Sequence, residues 1–257
     1  MQLSDYIAER RQQKKLLVMT HVVCGYPSFE DNWRELEIMA EHGVDLVELQ
    51  FPFSEPSADG PLFVKANQES LAHGTTVEQC FAFMARATAH FPFRVLMMGY
   101  YNTAFKLGHA AFIDKLAAAG GVGFILPDLP LEEATELFAL AAARDLAPII
   151  LMTPTSSEAR LRTLAAAAKG FVYAVARKGV TGTATSMDDE VGEFLARCRA
   201  NTALPLAVGF GVSTREDMDF IAAHADIAII GTAALRAWEA NGEQGLKDFF
   251  AGLGMPV

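Results

Sequence analysis

Short apolar runs alternate with longer amphipathic stretches along this chain from Leu16 onward. The first run, Leu16–Cys24, predicts a strand, and Phe29–His42 a helix after the turn Gly25-Tyr26-Pro27-Ser28. Leu46–Leu49 predicts the second strand, followed by a loop and a helix over Thr76–Ala89. Arg94–Gly99 is the third strand, then a polar turn at Tyr100-Tyr101-Asn102 and a helix near Ala110–Ala119. Gly123–Leu126, Pro148–Met152, Phe171–Ala176, Leu206–Val208 and Ile227–Ile230 supply the remaining five strands. Helices are predicted over Leu131–Arg144, Ser157–Ala168, Asp189–Arg199 and Arg215–His224, and to Leu253. Ser157, and Ser213 or Thr214, stand where a hydroxyl would cap a helix start. Continuous short apolar runs of this kind read as parallel strands buried on both faces.

Eight strand–helix pairs with no linker and no low-complexity segment predict a single (β/α)8 TIM barrel over residues 1–257. An extra N-terminal helix is predicted over the polar, amphipathic MQLSDYIAERRQQKK. A doubly wound open sheet is the alternative, but it would place a glycine fingerprint after the first strand, where Gly25 stands alone.

Composition narrows the function class. A net charge of −10 argues against a nucleic-acid partner, because neutralising phosphates needs a basic surface. The three cysteines, Cys24, Cys80 and Cys198, are scattered without a CxxC pair, which fits a reducing compartment and no structural zinc. The amino terminus lacks the apolar centre of a signal peptide, and no apolar run approaches the ~18 residues of a membrane span. The expectation is a cytoplasmic protein with no membrane partner.

The chemistry concentrates in Val44 to Pro61, VDLVELQFPFSEPSADGP. Glu48 interrupts a buried strand, and a carboxylate there is costly unless it is paired or working. The loop that follows holds three prolines and Ala58-Asp59-Gly60-Pro61, so it is shaped by fixed and permissive backbone positions. Glu48 and Asp59 are expected to face one cavity; a lysine or arginine neutralising Glu48 is the alternative. Barrel enzymes act at the carboxyl ends of their strands. Asn102 and Asp128 also fall at that end, and both read as turn or cap residues.

Glycine-bearing turns follow the last three strands: Gly179-Val180-Thr181-Gly182, Gly209-Phe210-Gly211 and Gly231-Thr232. Loops after strands seven and eight of barrels commonly hold a phosphate on backbone N–H groups. None matches the GxxxxGK[ST] loop of nucleotide hydrolases, which points to a phosphorylated small molecule. Tyr173, Phe210 and Ile229 are candidates for an apolar wall, implying that the substrate also has a flat hydrophobic part.

FPFSEPSADGP resembles the PFSDPxADGP loop of the tryptophan synthase alpha subunit family. The same family's marks recur as YYN at 100–102, PDLPLEE at 127–133, GVTG at 179–182, VGFGVST at 208–214 and the IIGTA end of strand eight. The resemblance spans about Leu16 to Phe249. It implies a (β/α)8 barrel that cleaves indole-3-glycerol phosphate to indole and glyceraldehyde 3-phosphate, a carbon–carbon lyase of tryptophan biosynthesis. It implies no metal or cofactor of its own, since pyridoxal phosphate would belong to a beta partner in an alpha2beta2 heterotetramer. Glu48 matches the family's general acid and base, and Asp59 the carboxylate that accepts the indole N–H. Tyr173 matches its aromatic beside the substrate, and Gly182, Gly211, Gly231 and Thr232 match its phosphate cradle; Tyr100, Thr181, Phe210 and Ile229 are further candidate substrate-binding residues.

Several positions depart from that pattern: Gln50 where glycine is usual, Glu55 for aspartate, Thr103 for proline and His21 for an aromatic. Thr183-Ala184-Thr185-Ser186 lacks an arginine common there. Two other functions remain open at this point: an alpha-like regulatory subunit that only activates its partner, and another phosphate-binding barrel enzyme of amino-acid biosynthesis.

Overall fold

The computed structural model describes residues 2–176, 189–209 and 211–255. The elements run α1 (Leu3–Gln13), β1 (Leu17–Val23), α2 (Phe29–Glu41), β2 (Leu46–Gln50), α3 (Pro61–Ala72), α4 (Val77–His90) and β3 (Arg94–Met98). Next come α5 (Tyr101–Leu107), α6 (His109–Ala118), β4 (Gly123–Ile125), a 3-10 turn (Leu131–Glu133), α7 (Thr135–Ala142), β5 (Ala147–Met152) and α8 (Glu158–Ala167). The chain ends with β6 (Val172–Ala174), α9 (Asp189–Asn201), β7 (Leu206–Gly209), α10 (Arg215–His224), β8 (Ile227–Ile230) and α11 (Thr232–Gly252). The eight strands pair in chain order, all parallel, and β1 closes the barrel on β8. The predicted barrel is the observed one.

Alternation along each strand divides the apolar residues into two populations. Val18, Val47, Val95, Phe124, Ile150 and Val208 face outward and join the helices in the larger core. Leu17, Met19, Leu46, Leu96, Ile149, Ala207 and Ile227 face inward and fill the barrel with Leu3, Tyr6 and Ile7 of α1. The N-terminal helix therefore forms the floor of the barrel. Each large apolar side chain so buried stabilises the fold by roughly 1.5–3 kcal/mol.

A buried carboxylate pins that floor. Asp45, fully enclosed just before β2, accepts from Arg10 Nε at 2.9 Å, Arg10 Nη2 at 2.8 Å, Lys14 Nζ at 3.0 Å and the Val18 amide at 3.0 Å. Tyr6 donates its hydroxyl to the Asp45 carbonyl at 3.0 Å.

Two helices differ from the sequence pattern. α3 starts with Pro61 at its first position, which suits proline because that N–H has no helical partner. Its inward face carries Asn67 and Ser70 beside Phe63 and Ala66, so polar residues hide the apolar period. Both are satisfied: Asn67 accepts from Phe53 N at 2.9 Å, tying the loop after β2 to α3, and Ser70 donates to the Cys24 carbonyl at 2.6 Å. α5 replaces the turn expected at 100–102, and its first N–H, on Tyr101, is capped by Asp128 from the neighbouring loop at 2.8 Å. Asp128 is thus a cap, as its residue type predicts, while Asn102 is exposed on α5. The predicted caps also form: Ser157 accepts from Arg160 N at 3.2 Å, and Thr214 and Asp217 make a reciprocal capping box.

Candidate active site

The inward positions near the carboxyl ends of the strands line a cavity of about 200 Å³ instead of filling it. Glu48 of β2, Met98 of β3, Leu151 of β5, Tyr173 of β6, Gly209 of β7 and Ile229 of β8 form its deep wall. Asp59 enters from the loop after β2, and Gly211, Gly231 and Thr232 lie at its rim. The predicted acids therefore face one cavity.

Glu48 is 2 % exposed, and its Oε1 has no hydrogen-bond partner among the described residues. Among the described residues no lysine or arginine pairs with it. Burial, with the Asp59 charge adding to it, raises its carboxyl to about 8. At neutral pH it therefore holds its proton.

Asp59 is supported quite differently. Its Oδ2 accepts from Gln50 Nε2 at 2.6 Å and from the Tyr100 hydroxyl at 3.2 Å. Burial raises this carboxyl to about 6, and the two donors pull it back down. Tyr100 in turn accepts from the Ala58 amide at 3.0 Å, so it braces both ends of the short Ala58-Asp59 segment. Tyr100 stands behind Asp59 and not on the cavity wall. The pair thus splits in titration, with Asp59 ionising first and Glu48 retaining a proton.

Tyr173 lies across the wall between the acids and the rim, and burial followed by the two carboxylates raises its phenol. Gly209 makes room for it: a Cβ there would fall 2.6 Å from the Tyr173 hydroxyl oxygen. Gly211 has φ +88°, which strains any side chain, and among the described residues nothing lies within 4 Å of where its Cβ would be.

Of the predicted residues, Glu48, Asp59, Tyr173, Gly211, Ile229, Gly231 and Thr232 meet around this cavity. Thr181, Gly182 and Phe210 lie outside the described residues, as do positions 183–186. Phe63 and Arg236 line the cavity without having been singled out by the sequence, and Ser213, read there only as a cap candidate, lines it too. Arg236 sits four residues after Thr232 on α11, a spacing that shares one helix face. Phe63 was hidden with the rest of α3. Among the described residues no three His, Cys, Asp or Glu side chains cluster as a metal would require.

Known proteins match this chain over nearly its whole length. The sequence model of the tryptophan synthase alpha chain family matches residues 7–251. The alpha chain of Desulfotalea psychrophila is 46 % identical, covering 98 % of this chain and 100 % of the relative. That of Desulforapulum autotrophicum is 47 % identical over 98 % and 99 %. Among solved structures, Mycobacterium tuberculosis tryptophan synthase superposes with a TM-score of 0.91 at 31 % identity, covering 99 % of this chain and 98 % of that one. A barrel with two unlike carboxylates at its mouth and matches spanning nearly every residue place this chain in the tryptophan synthase alpha chain family.

Proposed function

We propose that Glu48 moves the protons and Asp59 holds the ring in the reaction of this family, aldol cleavage of indole-3-glycerol phosphate to indole and glyceraldehyde 3-phosphate. The chain is a carbon–carbon lyase of tryptophan biosynthesis. The observation that carries the residue assignment is the unequal support of two carboxyls on one cavity: Glu48 is buried with an unpartnered Oε1 among the described residues, whereas Asp59 accepts from Gln50 and Tyr100. Glu48 gives its proton to the ring carbon that bears the side chain, and positive charge spreads onto the ring nitrogen. Asp59 accepts that nitrogen's N–H and stabilises the charge. Glu48, now a carboxylate, takes the proton of the adjacent side-chain hydroxyl. The carbon–carbon bond breaks, its electrons return to the ring, and the alcohol carbon becomes the aldehyde. One proton leaves Glu48 and one returns. Positioned proton transfer of this kind contributes roughly 10²–10⁴-fold.

The phosphate is held at the rim by backbone N–H groups around Gly211, Gly231 and Thr232, where α11 begins, with Arg236 as a nearby cation. Tyr173 and Ile229 enclose the ring. No metal or organic cofactor takes part, and pyridoxal phosphate belongs to a beta chain that receives the indole. The family reading implies work in the cytoplasm. No described helix is long and apolar enough to cross a membrane. Indole release from indole-3-glycerol phosphate by the isolated chain tests the assignment, with Glu48→Gln expected to fall by at least ~10²-fold. Wild-type turnover in that variant would reject it.

A further inference from the structure

The departures at 21 and 50 are 29 residues apart in sequence and meet in the barrel. β1 and β2 pair in register, with His21 opposite Glu48 and Val23 opposite Gln50, so His21 and Gln50 both turn inward above the floor. His21 Nε2 lies 2.8 Å from Gln50 Oε1, and Gln50 Nε2 lies 2.6 Å from Asp59 Oδ2. The polarity of this chain follows from its last member. An ionised carboxylate only accepts, so Gln50 must offer it the NH₂ end of its amide. The carbonyl end then faces His21, which must donate from Nε2. His21 is also stacked on Phe63, with centroids 4.3 Å apart and an interplanar angle of 25°.

We propose that Gln50 is a positioning residue for Asp59, and that His21, held as the neutral Nε2–H tautomer, locks the Gln50 amide in the orientation that does this. Both described donors to Asp59 fall on Oδ2. Oδ1 is thereby presented for the ring N–H, so this proposal rests on the role given to Asp59 above. Supporting the neutral state, burial lowers the His21 imidazole to about 4, with the Gln50 hydrogen bond opposing that shift. Gln50 also favours the charged form of Asp59, as a donor to a carboxylate does. Among the described residues, the other titratable or charged groups around Asp59 are Glu48 from β2, Tyr100 at the start of α5, with Asp128 beyond it, Tyr173 from β6 and, farther out on the rim, Arg236 of α11.

Three measurements test the proposal together. In ¹⁵N-labelled wild-type chain at pH 7, the His21 ring, assigned among six histidines by its loss in His21→Phe, should show a protonated Nε2 and a bare Nδ1. In Gln50→Met, which keeps length without a donor, the acid limb of kcat/KM should move up by about one pH unit. Turnover should fall roughly 10-fold with KM nearly unchanged, as for an interaction made in the transition state. His21→Phe should move both in the same direction by less, and the double variant should be no worse than Gln50→Met alone. A His21 carrying its proton on Nδ1 or on both nitrogens, an unmoved acid limb, or additive losses would each overturn the proposal. The labelled wild-type spectrum needs no variant beyond the assignment, so poor folding of Gln50→Met does not shield it. Asp59→Asn, measured alongside, separates the two readings. Wild-type activity there rejects the role of Asp59 itself, whereas a dead Asp59→Asn beside an unshifted Gln50→Met rejects this inference alone.

Discussion

The ring of Tyr173 occupies the space in which a side chain on Gly209 would begin. A Cβ at 209 would stand 2.6 Å from the Tyr173 hydroxyl oxygen and 2.8 Å from the ring edge. Contacts that short force one group to move, and the group that lines the cavity with room to shift is the tyrosine. Gly209→Ala should therefore lower kcat/KM by roughly 10–10²-fold through displacement of the ring that encloses the substrate. Thermal melting should change little, because the displaced ring has open volume to enter. A variant with normal kinetics would place Tyr173 outside the substrate's reach.

The split between the two acids predicts a bell-shaped pH profile of kcat/KM. Asp59 must be ionised to stabilise a charged ring, so activity falls as pH drops through about 6. Glu48 must carry a proton at the start, so activity falls again as pH rises through about 8. Both limbs belong to the coupled pair and not to single residues. A profile that rises monotonically to pH 9 would mean that Glu48 begins as a base.

The same carboxyl makes a stability prediction of definite sign. Glu48 titrates near 4.5 when unfolded and about 8 when folded, so the folded chain holds a proton that the unfolded chain has released. Stability is greatest below the lower value and declines as pH rises toward the upper one. Glu48→Gln removes that dependence. At pH 8 it should be more stable than the wild type by on the order of a few kcal/mol, and the difference should vanish near pH 4. Glu35 on α2, also buried and raised to about 8, contributes a parallel slope that its own Gln variant would remove. Denaturant titrations at the two pH values decide the matter. A catalytically dead Glu48→Gln that is also more stable fits a working acid; an active, unstable one fits a structural role.

At the rim, Gly211→Val should raise KM at least ~10-fold, since a β-branched residue at φ +88° strains the backbone and adds bulk at the cavity rim. Inorganic phosphate should inhibit the wild type competitively and the variant much less. Equal inhibition of both would move the phosphate elsewhere on the mouth.

At the opposite end of the barrel, Asp45→Ala should leave the active site intact but cost about 3 kcal/mol, the scale expected when one partner of a buried ion pair is removed. The denaturation midpoint is the readout. Arg10 and Lys14 would be left over the barrel floor without their common acceptor, and α1 should lose protection from amide exchange first.

Much of this molecule was legible in the sequence because its signals are local. The eight apolar runs announced the barrel, and Glu48 was visible as a charge inside one of them. Asp59 was visible through the proline and glycine residues that shape its loop. What escaped notice depends on contacts between distant segments. α3 was obscured because its inward Asn67 and Ser70 are satisfied by Phe53 and Cys24, partners outside the helix. α5 was missed because its cap, Asp128, arrives from another loop. His21 and Gln50 registered only as departures from a pattern, since nothing in a linear sequence reports that β1 brings one beside the other.

The division of each strand into a filled lower part and an open upper part has a consequence for how this chain tolerates change. On β2 the inward side chain passes from Leu46 to Glu48, and on β7 from Ala207 to Gly209, in a single step of two residues. Below that step a substitution subtracts from folding, and above it a substitution subtracts from turnover. In a randomised library, variants at 46 and 207 should disappear from the soluble fraction, while those at 48 and 209 should accumulate there as well-expressed, inactive protein. The upper ring of positions can be rewritten while the lower one still holds the barrel together, so a new pocket could be selected here without first redesigning its scaffold.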